Sequence, residues 1–337
     1  MDLVVTSDTT ALSYWLNWRV LLCAIWVLTP MVIASYIIWK YEVPNHWKSA
    51  DRAEAQQKIA HSLYNDETWR PCIKQIHPIW LFSFRIMAFS LLLVILIIDL
   101  DVHGAGMFYY YTQWTFAMIT VYFGFGSVLS IYGCYQYHRS WRDFNGHRVE
   151  TDAEQGSYVP LAYREATTIV ETGKNSCAHE ENHFHERSGV CKYVFQVMFQ
   201  MSAGAVMLTD CIYWFIIFPF LTIKDYNLNF LTVIMHSVNA VMLLGDTALN
   251  CLPLPWFRIT YFILWTGFFV IFQWIIHACV TIWWPYPFLD LSSPNAPLWY
   301  LLVALMHIPC YGVFALIVKL KHYLLSTYFP QSYQCAR

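Results

Sequence analysis

Residues 108–127, FYYYTQWTFAMITVYFGFGS, set three hydroxyls, Thr112, Thr115 and Thr120, along one apolar stretch long enough to enter a membrane. A threonine hydroxyl can attack a carbonyl and carry the acyl group, provided that a base takes its proton. The chain offers bases at His236, His277 and His307, an acid at Asp210 and an amide at Asn239, all within apolar runs. Polar groups are costly in hydrocarbon and are functional candidates there, with helix–helix hydrogen bonding as the plainer explanation. The chemistry this set supports is acyl transfer from a lipid ester through an acyl-threonine. Thr112 is the expected nucleophile, because it is the shallowest of the three and water would reach an acyl-enzyme there. His236 is the expected base, Asp210 or Asn239 its orienter, and His277 and His307 candidates for binding the ester head. Thr120 lies deeper, where its hydroxyl is expected to bond the carbonyl three or four residues back. Tyr, Trp and Thr also suit a membrane interface, so the same mouth can be read without chemistry, as an aromatic belt.

The elements that must position these residues follow from composition. The 337 residues are 58% hydrophobic, 18% aromatic and only 12% charged, too apolar for a soluble surface or for disorder. The sequence therefore predicts an all-α polytopic membrane bundle. A spanning helix needs roughly 20 mostly apolar residues, and seven stretches qualify, at about 20–39, 79–99, 109–134, 193–221, 230–250, 258–284 and 298–320. The first lacks a basic leader and a clean small-residue cleavage site, which reads as a retained signal anchor. Three regions result: a segment at 1–75 with the first span, a six-span core at 76–322 containing a long loop at 135–192, and a tail at 323–337.

Basic residues set the expected orientation. Of 20 Lys and Arg, 17 fall in alternate segments on one side, Arg19 and Lys224 fall on the other, and Arg85 lies inside the second span. That asymmetry predicts an N-terminus outside or in a lumen and a C-terminus in the cytosol, in the plasma membrane or the endoplasmic reticulum. Arg85 and Asp246 fall near the inner ends of the second and fifth spans and are expected to form a structural ion pair. A net charge of −2 gives no reason to expect nucleic acid as a partner. Membrane lipids or fatty esters are the expected partners, and no protein partner is indicated.

Cofactor and metal chemistry is weakly signalled, and none is assigned. The ten cysteines form no Cys-x-x-Cys pair, so no disulfide framework is expected; Cys134, Cys251 and Cys335, near inner helix ends, are candidates for palmitoylation. The segment CAHEENHFHERSGVC could supply His179, His183, His185 and Cys191 to a metal, although its spacing fits no zinc pattern. His236, His277 and His307 do not make the paired-helix pattern of haem ligation. Seven spans with an external N-terminus also describe a receptor. Against that, the third span ends in SIYGCYQYHRSW, without an acidic-Arg-aromatic triplet, and the seventh has no Asn-Pro-x-x-Tyr run.

Between about 76 and 320, the stretches HPIWLFSFRIMAF, YYTQWTFAMITVYFGFG, YWFIIFPF, IMHSVNAVMLL and WWPYPFLDL occur in order. In this order and texture the chain resembles the androgen-induced gene and rolling stone group of multi-pass membrane proteins, and its extra first span and long third connection resemble the plant rolling stone type. For the androgen-induced branch, the resemblance implies a threonine hydrolase of fatty acid esters of hydroxy fatty acids. Its threonine would fall on Thr112 and its histidine in the stretch containing His236 and Asn239. If the catalytic histidine corresponds to the second of these positions, Asn239 replaces it, and an amide is no general base. For the rolling stone branch, the resemblance implies a part in cell fusion and development with no established chemistry, and the alternative to hydrolysis is a non-catalytic membrane protein in signalling, adhesion or development.

Overall fold

The computed structural model describes residues 8–48, 68–153, 177–219 and 230–335. Its main helices are α1 (Trp18–Lys48), α2 (Pro78–His103), α3 (Tyr111–Ala153), α4 (Cys177–Ile212), α5 (Phe230–Met235), α6 (Val238–Leu249), α7 (Ile259–Cys279) and α8 (Ala296–Tyr328). Among the described residues there is no sheet, and seven stretches are long and apolar enough to cross a membrane, α5 and α6 together making the fifth. The chain is thus an all-α, integral multi-pass membrane protein.

Sequence dictates these elements plainly. At the start of α2, Pro78 occupies the first turn, where no backbone N–H is needed, and His77 accepts a hydrogen bond from the Ile79 amide. Along α2, Leu81, Arg85, Ala88, Leu92, Ile95 and Asp99 are buried, alternating steps of four and three that make one seam. That seam packs on α3, while Leu91, Val94 and Ile98 face outward as lipid contacts would. Helix α4 is central, touching α3, α6, α7 and α8. Helix α1 is peripheral, resting on α7 and α8, and is the least buried of the seven spans.

Close approach of α4 to α7 depends on Gly204. A Cβ there would lie 2.3 Å from Cδ1 and 2.6 Å from Cγ of the fully buried Phe262. Gly204→Ala should therefore force the helices apart and cost about 1–3 kcal/mol, read as a lower melting temperature in detergent.

The two ends of the bundle are built from alternate connections. At one end, Tyr14 donates to Asp290, Arg19 to the Ser292 carbonyl and Gln273 to the Tyr109 carbonyl, which gathers the N-terminal segment, the second connection and the sixth. At the other, Cys72 N–H donates to the Leu249 carbonyl and Gln334 N–H to the Cys72 carbonyl, joining the first connection, the end of α6 and the tail.

Four expectations need correction. The segment at 135–192 is not a loop throughout: α3 runs to Ala153 and α4 begins at Cys177, because polar residues continue both helices past their apolar spans. The sixth span ends earlier than 284, at Cys279, where Val280 turns extended. The fifth span is interrupted at His236 and Ser237. The tail is not free after 322, since α8 continues to Tyr328 and residues 329–335 fold back onto residues 71–74.

The expected ion pair is present. Arg85 Nε lies 2.7 Å from Asp246 Oδ1, and both side chains are fully buried. Arg85 also donates to the Thr68 carbonyl and to Ser130 Oγ, while Asp246 accepts from Tyr122 and Asn250. A second polar cluster escaped the sequence reading. Arg258 Nε is 3.1 Å from Glu42 Oε1, its Nη1 reaches Gln200, and Tyr261 donates to Glu42, tying α1 to α4 and α7.

Candidate functional site

Two irregular backbone segments meet within the bundle. Helix α4 passes into a π-helical turn at Tyr213–Ile217, and the fifth span breaks between α5 and α6 at His236. The two segments are joined: the His236 ring stacks on Tyr213, centroids 3.8 Å apart and planes 4° from parallel, and Trp214 Nε1 donates to the His236 carbonyl at 3.2 Å. Irregular backbone within a membrane is tolerated where protein or a cavity surrounds it, and π-turns recur at functional sites.

A cavity opens beside this junction. Thr112, Thr209, His236 and Thr266 contribute its polar wall, and Leu208, Ile212, Phe269, Val270, Phe288 and Leu289 are among the apolar residues that make most of the rest. Thr209 donates its hydroxyl proton to the Ala205 and Val206 carbonyls, and Thr266 to that of Phe262. Of the three wall threonines, Thr112 is left with a hydroxyl that makes no hydrogen bond.

His236 is buried, and its Nδ1 stands 3.6 Å from Asp210 Oδ1, slightly beyond a hydrogen bond. Thr209 and Asn239 flank the same carboxylate. Asn239 Oδ1 accepts from the Ala240 amide, while its Nδ2, both Asp210 oxygens and His236 Nδ1 remain without hydrogen-bond partners. Unmade polar bonds clustered in a buried place are costly, and such a cluster calls for an explanation. Nδ1 facing Asp210 leaves Nε2 as the ring nitrogen free to take a proton, the arrangement by which an acid fixes a histidine's tautomer.

The other histidines are placed apart. His307 lines a neighbouring cavity that shares Thr266, Val270, Phe288, Leu289 and Val303 with the first. Its Nδ1 is bonded to the Val303 carbonyl and its Nε2 is unpartnered. His277 lines neither cavity; it stacks on Trp284 at 3.7 Å, with Nδ1 on the Gln273 carbonyl. Thr115 is fully buried without a hydrogen-bond partner, and Thr120 bonds the Phe116 carbonyl at 2.9 Å, four residues back as expected.

The remaining candidates are settled differently. The side chains of His179, His183 and His185 lie outside the described residues; Cys191 is exposed. Cys251 and Cys335, read as acylation candidates, are buried and joined as a disulfide, because the returning tail carries one to the other. Sequence reasoning missed Tyr213, Trp214 and Thr209. The nearest signal is the run YWF at 213–215, which resembles any interfacial aromatic cluster.

Comparison with known proteins returns no match among family models, curated proteins or solved structures.

Proposed function

We propose that this protein hydrolyses fatty esters within the membrane, of the kind formed between a fatty acid and a hydroxy fatty acid, with Thr112 as nucleophile and His236 as base. One observation carries the reading: a free threonine hydroxyl and a histidine backed by a carboxylate line one largely apolar cavity. In this mechanism, Thr112 Oγ1 attacks the ester carbonyl while His236 takes its proton. The proton passes to the departing alkoxide, which leaves as an alcohol. His236 then takes a proton from water, whose oxygen attacks the acyl-threonine, and returns it to Thr112 Oγ1 as the fatty acid leaves. The gap of 3.6 Å between His236 and Asp210 is of the kind that closes when substrate is bound. Apolar walls suit acyl chains, and His307 at the adjoining cavity suits the polar end of the second chain.

An acyl-enzyme-trapping probe should label the purified protein covalently at Thr112. Protein that is folded yet takes no label and releases no fatty acid from such an ester leaves the non-catalytic alternative standing.

The reading carries an orientation, with the basic connections in the cytosol and the N-terminus outside or lumenal. A glycosylation acceptor engineered ahead of residue 10 should be modified, whereas one at 150–185 should not. The reverse pattern would invert the topology.

A further inference from the structure

We propose that Cys72, Cys251 and Cys335 form, once reduced, a site for one thiophilic d10 cation, Zn(II) or Cu(I), at the Lys- and Arg-rich end of the bundle. All three side chains are buried and their Sγ atoms lie within 4.8 Å of one another. Thiolates about 2.3 Å from one tetrahedral ion stand about 3.8 Å apart, so little movement is needed to enclose a cation. Three sulfurs are also the ligand type that selects Cu(I) and Zn(II) over harder ions.

The backbone holds these cysteines together without relying on sulfur. Cys72 N–H donates to the Leu249 carbonyl at 2.8 Å, Gln334 N–H to the Cys72 carbonyl at 3.1 Å and Lys74 N–H to the Ser332 carbonyl at 2.8 Å. Ile73 and Tyr333 form an antiparallel bridge beside them. A second observation concerns charge. Lys321 Nζ stands beside Cys72 and is held by the Thr247 and Asn250 carbonyls at 2.9 and 2.8 Å, with no carboxylate among its hydrogen bonds. Three thiolates around a divalent ion carry one net negative charge, which that ammonium balances.

Cys251 and Cys335 are joined in the structure, and the joined form cannot bind the cation through both sulfurs. On the orientation proposed above, the triad faces the cytosol, where thiols are kept reduced. A small-thiol reductant opens the bond: two of its thiols become a disulfide, and Cys251 and Cys335 each gain a proton and an electron. A cation would displace the protons of all three thiols.

The test is made on the full chain, purified in detergent with a phosphine reductant, loaded with Zn(II) or Cu(I), desalted and measured by elemental mass spectrometry. About one ion per chain is expected, and which ion is retained identifies the cation. Cys335→Ser and Cys72→Ser should lose it, and Cys134→Ser should keep it. A chelator titration of the wild type gives the same readout without a substitution. Folded, reduced protein that retains neither ion, or a Cys335→Ser variant with full metal content, would overturn the proposal. So would alkylation of intact cells showing Cys251 and Cys335 still joined. The metal measurement does not depend on topology, so its failure is distinguishable from failure of the orientation.

Discussion

Asp246→Ala is expected to yield little or no folded protein. The carboxylate accepts from Arg85, Tyr122 and Asn250, all within the bundle, so its removal strands a fully buried guanidinium and two further donors. Breaking a buried pair from one side costs about 3–5 kcal/mol, enough to remove most of the stability of an ordinary domain. Arg85→Ala should be nearly as harmful, because it leaves Asp246 charged in a place that water does not reach. The double variant Arg85→Gln with Asp246→Asn retains neutral hydrogen-bonding groups at both positions and should recover part of the yield. Size-exclusion of fluorescent fusions and thermal melts read all three. A double variant no better than the worse single would mean that each group is held by its other neighbours and the pair carries no coupling.

Thr112→Ala should reduce ester hydrolysis to background, and His236→Gln should cost about 100-fold or more, the usual share of a general base. Thr112→Ala should melt close to the wild type, because the Thr112 hydroxyl bonds nothing, whereas His236→Gln also gives up the stack on Tyr213 and should melt somewhat lower while remaining folded. Thr112→Ser should keep activity. Thr120→Ala should keep most of it, since that hydroxyl is already engaged with the Phe116 carbonyl. Asp210→Asn separates positioning from packing: with the tautomer no longer fixed, the rate should fall and its pH profile shift without a change in melting temperature. Undiminished turnover in Thr112→Ala would dispose of the mechanism.

What could be read in the sequence was whatever obeys a local or an energetic rule. The seven spans were legible because hydrocarbon demands about 20 apolar residues in a row. Arg85 and Asp246 were legible as a pair because a charge in such a span needs a partner, and only a few were available. Thr112 and His236 were legible as candidates by type and depth, and they line one cavity. The break at His236 was not, since neither proline nor glycine marks it and the run FLTVIMHSVNAVMLL reads as continuous helix. The cysteine triad was hidden because its members come from the first connection, the end of α6 and the tail, and meet only when the tail folds back. Glu42 and Arg258 were not legible as a pair, because helix packing, not spacing, brings α1 beside α7.

The peripheral seat of α1 bears on how the chain is made. It packs chiefly on α7 and α8, which are synthesised after it. This helix must therefore wait in the bilayer until the residues of α7 are made. Its outward residues, such as Leu21, Ile25 and Val32, are apolar enough for lipid to solvate it meanwhile. Glu42, towards its C-terminal end, lacks Arg258 and Tyr261 until α7 arrives. Nascent chains arrested before residue 258 should thus hold α1 as an inserted but undocked helix, and assembly of this bundle closes from its two ends toward each other rather than growing in the order of translation.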